Sequence, residues 1–287
     1  MGLRLLVVEG NVREAREAHK QAYGKTSSES YADALLAVAP DAICDICLPA
    51  DEGANLPDPG GLAGYDGVAV TGSALNMYDD TPPIRRQLDF ARACYASTTP
   101  FFGSCWGLQL AAAAAGGDVV RNPHGREVGI ARAITPTDAG RAHALLAGRG
   151  PAWDAPCVHL DVVATPPGET TVLAVNAMAG VQAAEIRHDG GVFWGVQYHP
   201  EYSLRELAVI IRRRIAPLMA EGFFRSFEDG GRYCDGLEAL HDDPGRRDVA
   251  FALGVQPELL DPVQRLTEIR NFVELYVRPT KSARGRA

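Results

Sequence analysis

The chain is poor in cysteine, in basic charge and in uninterrupted apolar runs, and each shortage closes off a class of protein. Six cysteines among 287 residues are too few for a disulfide scaffold and are expected as reduced thiols. A formal net charge of −8 leaves no basic footprint, so no nucleic-acid partner is expected. The longest uncharged stretch, residues 93–117, has the length of a bilayer span, but Ser97, Thr98, Thr99, Pro100, Gly103, Ser104 and Gly107 interrupt it. A strand–turn–helix is the better reading, and no membrane association is expected. The N-terminus reaches Glu9 after a short apolar stretch with no cleavage pattern, which argues against a secretory signal and makes a cytoplasmic location the expectation. A Walker-type loop is missing, as is G-x-G-x-x-G after the first strand, so no nucleotide site is expected. Cys44-Asp45-Ile46-Cys47 has the CxxC spacing, yet it lies inside a strand-like run that points the two thiols to opposite faces. With no second pair to complete a zinc site, these read as core cysteines.

What is present is ordinary for a soluble enzyme: 46% apolar and 22% charged residues, in a length that suits one large α/β domain with or without an appendage. Short apolar runs at 3–8, 42–48, 67–71 and 100–103 read as strands. Between them lie helical patterns over 12–38, broken near 24–30, and over 82–96, followed by a helix at 106–115 that Gly116-Gly117 stops. This alternation predicts an α/β fold with an open, mostly parallel sheet flanked by helices. Residues 119–197 turn strand-rich, with strands expected at 128–134, 158–164, 172–176, 181–186 and 192–198, and a helix follows over 204–219. After Glu221 come charged helical pieces, so residues 1–221 are expected as one domain and 222–287 as a helical extension. The basic end, 278–286, reads as a solvated, disordered tail.

The chemistry concentrates at Gly103-Ser104-Cys105-Trp106-Gly107-Leu108-Gln109. A nucleophile elbow needs glycine two residues before and two after the nucleophile, because larger side chains collide in so tight a strand-to-helix turn. Cys105, not Ser104, is central to that frame. A thiol in the first turn of the 106–115 helix gains from the helix dipole, and the Trp106 N–H becomes one oxyanion donor. The frame alone is equally compatible with a glycine-packed core. A thiolate enzyme also needs a base and a group to orient it. Gly195-Val196-Gln197-Tyr198-His199-Pro200-Glu201 supplies both at the carboxyl end of a strand, with His199 as the base and Glu201 holding its tautomer. His19, His124, His143, His188 and His241 have no comparable company. A second oxyanion donor is expected from Val70-Thr71-Gly72-Ser73, through the Ser73 N–H.

Together these motifs resemble the class I glutamine amidotransferases, the triad family that carries GxCxGxQ and, much later, GxQxHPE. Both motifs are complete here, over 103–109 and 195–201, about ninety residues apart as in that family. Thr71-Gly72-Ser73 stands where the family has an SGG oxyanion strand, His159-Leu160-Asp161 matches a looser H-x-D element, and Arg126-Glu127-Val128-Gly129 lacks the aromatic of E-[FY]-G. The likeness spans residues 3–220 and points to small stand-alone members related to the glutaminase part of GMP synthase. It implies a flavodoxin-like fold and attack of Cys105 on the γ-amide of glutamine to form a thioester. His199 and Glu201 complete the triad, Ser73 and Trp106 bind the oxyanion through their amides, and Gly72 and Gln109 contact the substrate. It implies no cofactor and no metal. Trp106 argues against the related thiol branch that places His directly after the elbow cysteine. Three functions follow in order: a glutaminase releasing ammonia for an unidentified acceptor, a γ-glutamyl hydrolase or peptidase, and a non-catalytic regulatory homologue. The partners expected are glutamine or a γ-glutamyl compound, with a synthetase subunit and a homo-oligomer left open.

Overall fold

Apolar runs too short for helices, and buried on both faces, make the centre of the molecule. A computed structural model describes residues 2–54, 56 and 61–285. Its strands are, in chain order, β1 (Arg4–Val8), β2 (Ile43–Cys47), β3 (Gly67–Val70), β4 (Phe101–Ser104), β5 (Asp118–Arg121), β6 (Glu127–Pro136), β7 (Trp153–His159), β8 (Asp161–Thr165), β9 (Thr170–Val175), β10 (Ala183–His188) and β11 (Gly191–Val196). Nine of them form one sheet in the order β2-β1-β3-β4-β11-β10-β9-β6-β7, while β5 and β8 pair separately. From β2 to β11 every pairing is parallel, and from β11 to β7 every pairing is antiparallel.

Alternation along β1 divides the core. Leu5 and Val7 face one layer with Tyr31 and Leu35, and Leu6 and Val8 face the other with Ile84, Ala91, Tyr95 and Leu108. The helices supplying those layers are α1 (Arg13–Tyr23), α2 (Ser27–Val38), α3 (Pro82–Ser97) and α4 (Trp106–Ala114). Thr26 starts α2 with a complete capping box to Glu29, and prolines open α3. After the short α5 (Asp138–Ala142) come α6 (Leu204–Arg212) and α7 (Ile215–Ala220). The single helix expected over 204–219 is thus two. Pro217 has no N–H for the Arg213 carbonyl and its ring would strike it, so the helix breaks at Arg213 and Arg214. The strand expected over 158–164 is also two: β7 and β8 meet at Leu160.

Beyond residue 221, α8 (Phe227–Asp242) packs on α6 through Leu207, Ile211, Leu237 and Leu240. Short helices α9 (Arg247–Leu253), α10 (Pro257–Leu260) and α11 (Pro262–Arg265) lead to α12 (Thr267–Phe272), a π-helical turn at Val273–Val277 and α13 (Arg278–Ala283). Phe272, Val273 and Val277 are buried in the same layer as Leu5 and Val7. The tail is therefore not disordered over its described part. Arg278 pairs with Asp41 and Glu274, and buried Lys281 donates to the Gly2 carbonyl and to Asp66. Among the described residues, no helix is long and apolar enough to cross a membrane.

Candidate active site

β4 and β11 are parallel neighbours, with Ser104 opposite Val196, so the turns that leave them emerge at one edge of the sheet. The Cys105 N–H donates to the Val196 carbonyl at 2.8 Å and ties the two turns together. Cys105 itself sits at φ 51°, ψ −100°, a left-handed conformation that strains a residue with a side chain. Its flanking glycines are required by contact. A Cβ on Gly103 would stand 2.7 Å from the Gly107 Cα, and one on Gly107 would stand 2.8 Å from the Val70 carbonyl oxygen. The elbow is therefore wedged between β3 and α4.

His199 and Glu201 are buried, and the His199 Nδ1 lies 2.7 Å from Glu201 Oε1. The ring stacks on Tyr202, with centroids 3.9 Å apart and planes 5° from parallel, and its backbone N–H donates to the Pro156 carbonyl. Gly72 has no side chain because the ring takes that space: a Cβ would fall 2.5 Å from His199 Cε1. Burial opposes a charge on this imidazole, but the Glu201 carboxylate and the neighbouring Cys105 side chain outweigh it and push the ring up to about 10. The other thiols lack such company. Burial pushes Cys44, Cys47 and Cys234 up to about 11, and Cys94 and Cys157 are raised as well. Cys47 is buried as expected of a core cysteine, whereas Cys44 is only half-buried, and raised thiols suit neither to redox exchange.

The second oxygen of Glu201 is also engaged. Ser104 Oγ donates to Oε2 at 2.9 Å and lies 2.9 Å from the Tyr31 hydroxyl. A serine hydroxyl has one proton, so with that proton on Glu201 the Tyr31 O–H must donate to Ser104. Burial holds the Tyr31 phenol well above its usual range, which keeps it a donor. Neither Tyr31 nor Ser104 was among the residues expected at the site. Ser104 carries a signal only as the buried neighbour of the elbow cysteine, and Tyr31 carries none, since a tyrosine on a helical pattern reads as core.

The loop after β3 is pinned through Thr71, whose Oγ1 accepts the Gly10 N–H and donates to the Gly72 carbonyl. Ser73 turns its hydroxyl to the Leu75 N–H, and among the described residues no protein acceptor takes the Ser73 or Trp106 N–H. Gln109 is buried, with its amide nitrogen 3.0 Å from the Asp161 carbonyl and 3.3 Å from Gln197 Oε1. His159 joins this framework, bridging Asp161 O and Glu127, while Gln182 and Asn176 donate to the same Glu127 carboxylate.

Two cavities meet here. One of about 120 Å³ reaches Cys105, Gln109, Ser73, Asp161 and Arg126. The other, about 230 Å³, reaches His199, Gly72, Ser73 and Tyr202. Arg214 lines both. The geometry brings together a strained cysteine, an imidazole fixed by a carboxylate, and two unclaimed backbone amides at the end of the parallel half of the sheet. Such a group can carry out acyl transfer through a thioester. Among the described residues no cluster of three metal-ligating side chains occurs.

Comparison with known proteins bears on the same region. A γ-glutamyl-L-1-hydroxyisopropylamide hydrolase from a Pseudomonas species is 35% identical over 227 residues, 78% of this chain and 76% of that protein. A GMP synthase from Leifsonia xyli is 27% identical over 65% of this chain, which spans only 36% of that enzyme. In fold, a glutamine amidotransferase structure from Methylobacillus flagellatus superimposes with a TM-score of 0.63 at 18% identity, covering 96% of this chain and 95% of that one. The family model described as glutamine amidotransferase class-I matches residues 48–215, more than half of the sequence. The chain belongs to the class I glutamine amidotransferase family.

Proposed function

We propose that the protein hydrolyses a γ-glutamyl amide through a thioester at Cys105. The observation that carries this reading is the buried His199–Glu201 pair beside a strained elbow cysteine. Cys105 sulfur attacks the γ-carbonyl carbon, and the carbonyl oxygen takes up negative charge facing the Ser73 and Trp106 amides. His199, charged in the resting site, gives its proton to the amine as the C–N bond breaks. The neutral ring then takes a proton from water, whose oxygen attacks the thioester, releasing glutamate and leaving the sulfur deprotonated beside the recharged ring, as it was before the attack. Gly72 and Gln109 contribute to the substrate pocket, and Glu201 orients His199. The Pseudomonas relative, matched over three-quarters of both chains, favours hydrolysis of a substituted amide.

A glutaminase that hands ammonia to a synthetase partner is the second reading, and the GMP synthase relatives favour it. Purified protein is assayed on glutamine and on γ-glutamyl amides with separate ammonia, amine and glutamate readouts. Turnover confined to substituted amides supports the first reading, and turnover of glutamine with a partner supports the second. Cys105→Ala is expected to abolish turnover, whereas Cys44→Ala and Cys94→Ala stay near wild type. Retained activity in the Cys105 variant would refute the mechanism.

A further inference from the structure

We propose that the amine released here carries a carboxylate, which Arg214 receives, so that the substrate class is γ-glutamyl α-amino acids rather than glutamine or neutral amides. This deepens the γ-glutamyl hydrolase reading and rests on it.

Proline-enforced breakage of the α6–α7 helix sets Arg214 at φ −119°, ψ 13°, as the residue that precedes α7. There its side chain is half-buried and lines the catalytic cavities, and among the described residues it makes no hydrogen bond or ion pair with a carboxylate. Burial pushes its guanidinium below the usual arginine range, and the nearby charges of Arg126 and Arg213 act in the same direction. The other arginine of the smaller cavity, Arg126, is already held by Glu221 through two bonds of 2.7 and 3.0 Å. A desolvated cation without a partner is costly in isolation, and a bound carboxylate is its natural complement in a two-bond fork.

The cavities divide the substrate by chemistry. The smaller one contains Cys105 and Gln109, so it takes the glutamyl part. The larger one contains His199 but not Cys105, and His199 is the group that protonates the departing nitrogen. Whatever that nitrogen carries must therefore lie in the larger cavity. Among the described residues its lining includes Arg213 and Arg214 and no aspartate or glutamate, Glu206 and Glu201 being bonded to the lining residues His19 and His199. At about 230 Å³ it exceeds many times over the ~15 Å³ that a water-sized molecule such as ammonia requires. A chamber whose two carboxylate neighbours are taken up by histidines, while Arg214 has no carboxylate partner among the described residues, suits an amine that bears an anion close to its nitrogen.

γ-Glutamyl-L-alanine and γ-glutamyl isopropylamide differ only by a carboxylate in place of a methyl group, and amine release from the two gives the test. Wild-type protein should favour γ-glutamylalanine in kcat/KM by roughly 10- to 100-fold, the size of a charge-assisted hydrogen bond. Arg214→Met should bring that ratio close to one, and Arg214→Lys should keep part of it, with thermal unfolding used to show that both variants fold. A wild-type ratio near one overturns the proposal without any variant. It is overturned equally if Arg214→Met preserves the preference, or lowers both substrates by the same factor, since the latter assigns Arg214 to the glutamyl carboxylate. Wild-type protein that cleaves neither compound removes the hydrolase reading and this proposal together.

Discussion

Ser104 and Cys105 are adjacent in the chain but serve opposite sides of the same base. The serine holds Glu201 from within the core, and the thiol borders the cavity. Ser104→Ala would leave Glu201 Oε2 and the Tyr31 hydroxyl each without a partner in a buried setting. We expect stability to fall by about 1–3 kcal/mol in chemical denaturation. We also expect kcat to drop about tenfold with KM little changed, because the imidazole is aimed less well. Equal kcat values would show that Ser104 only fills space. The charge on His199 has a consequence for stability. Its ring titrates near 10 when folded, against about 6.5 when unfolded. Between those values the folded state holds the extra proton, so this contribution is complete below about 6.5 and is lost as pH rises through 10. Thermal unfolding between pH 7 and 10 should therefore show a steeper decline for wild type than for His199→Gln, and parallel curves would refute the pairing.

The elbow is where strand, turn and helix constrain one another. Gly107→Ala would drive a Cβ into the Val70 carbonyl, a backbone atom that moves only if β3 moves. A destabilisation of about 1–3 kcal/mol is expected, read from the denaturation midpoint. Wild-type stability would mean that α4 can shift away from β3. These elements were legible because glycine spacing, short apolar runs and proline-headed helices are local signals, and the parallel half of the sheet follows from them. β7 was less legible. Pro156 within it argues against a strand, yet β7 lies at the sheet's edge, where a missing N–H is tolerated. β5 was not named within the strand-rich region because Val119-Val120 between Asp118 and Arg121 is too short an apolar run to stand out. In the site, Cys105, His199 and Glu201 lie inside recognisable motifs, whereas Tyr31 reaches Glu201 only through the fold. Arg214 sat within a helical pattern, and its position depends on a break that Pro217 imposes.

At the scale of the whole molecule, the C-terminal helices join the layer that supports the site. Phe272 is 1% exposed and packs on Phe102 with centroids 5.4 Å apart, and Phe102 is two residues before Ser104 in β4. Phe272→Ala should cost about 3–5 kcal/mol in chemical denaturation although it lies outside the residues that the family model matches. A loss below 1 kcal/mol would show that these helices are only loosely attached. Tyr31 belongs to the same layer, so the far end of the chain also backs the helix that carries it.

The hydroxyl chain from Tyr31 through Ser104 to Glu201 ends in that core. Both hydroxyl-bearing residues are closed to water, and the phenol holds its proton firmly. Nothing can enter or leave along it, so it is a mooring and not a conduit. Traffic in hydrogen ions must then pass through the other imidazole nitrogen, on the open side. A solvent-isotope effect on turnover would accordingly report a single hydrogen in flight, with the buried pair silent.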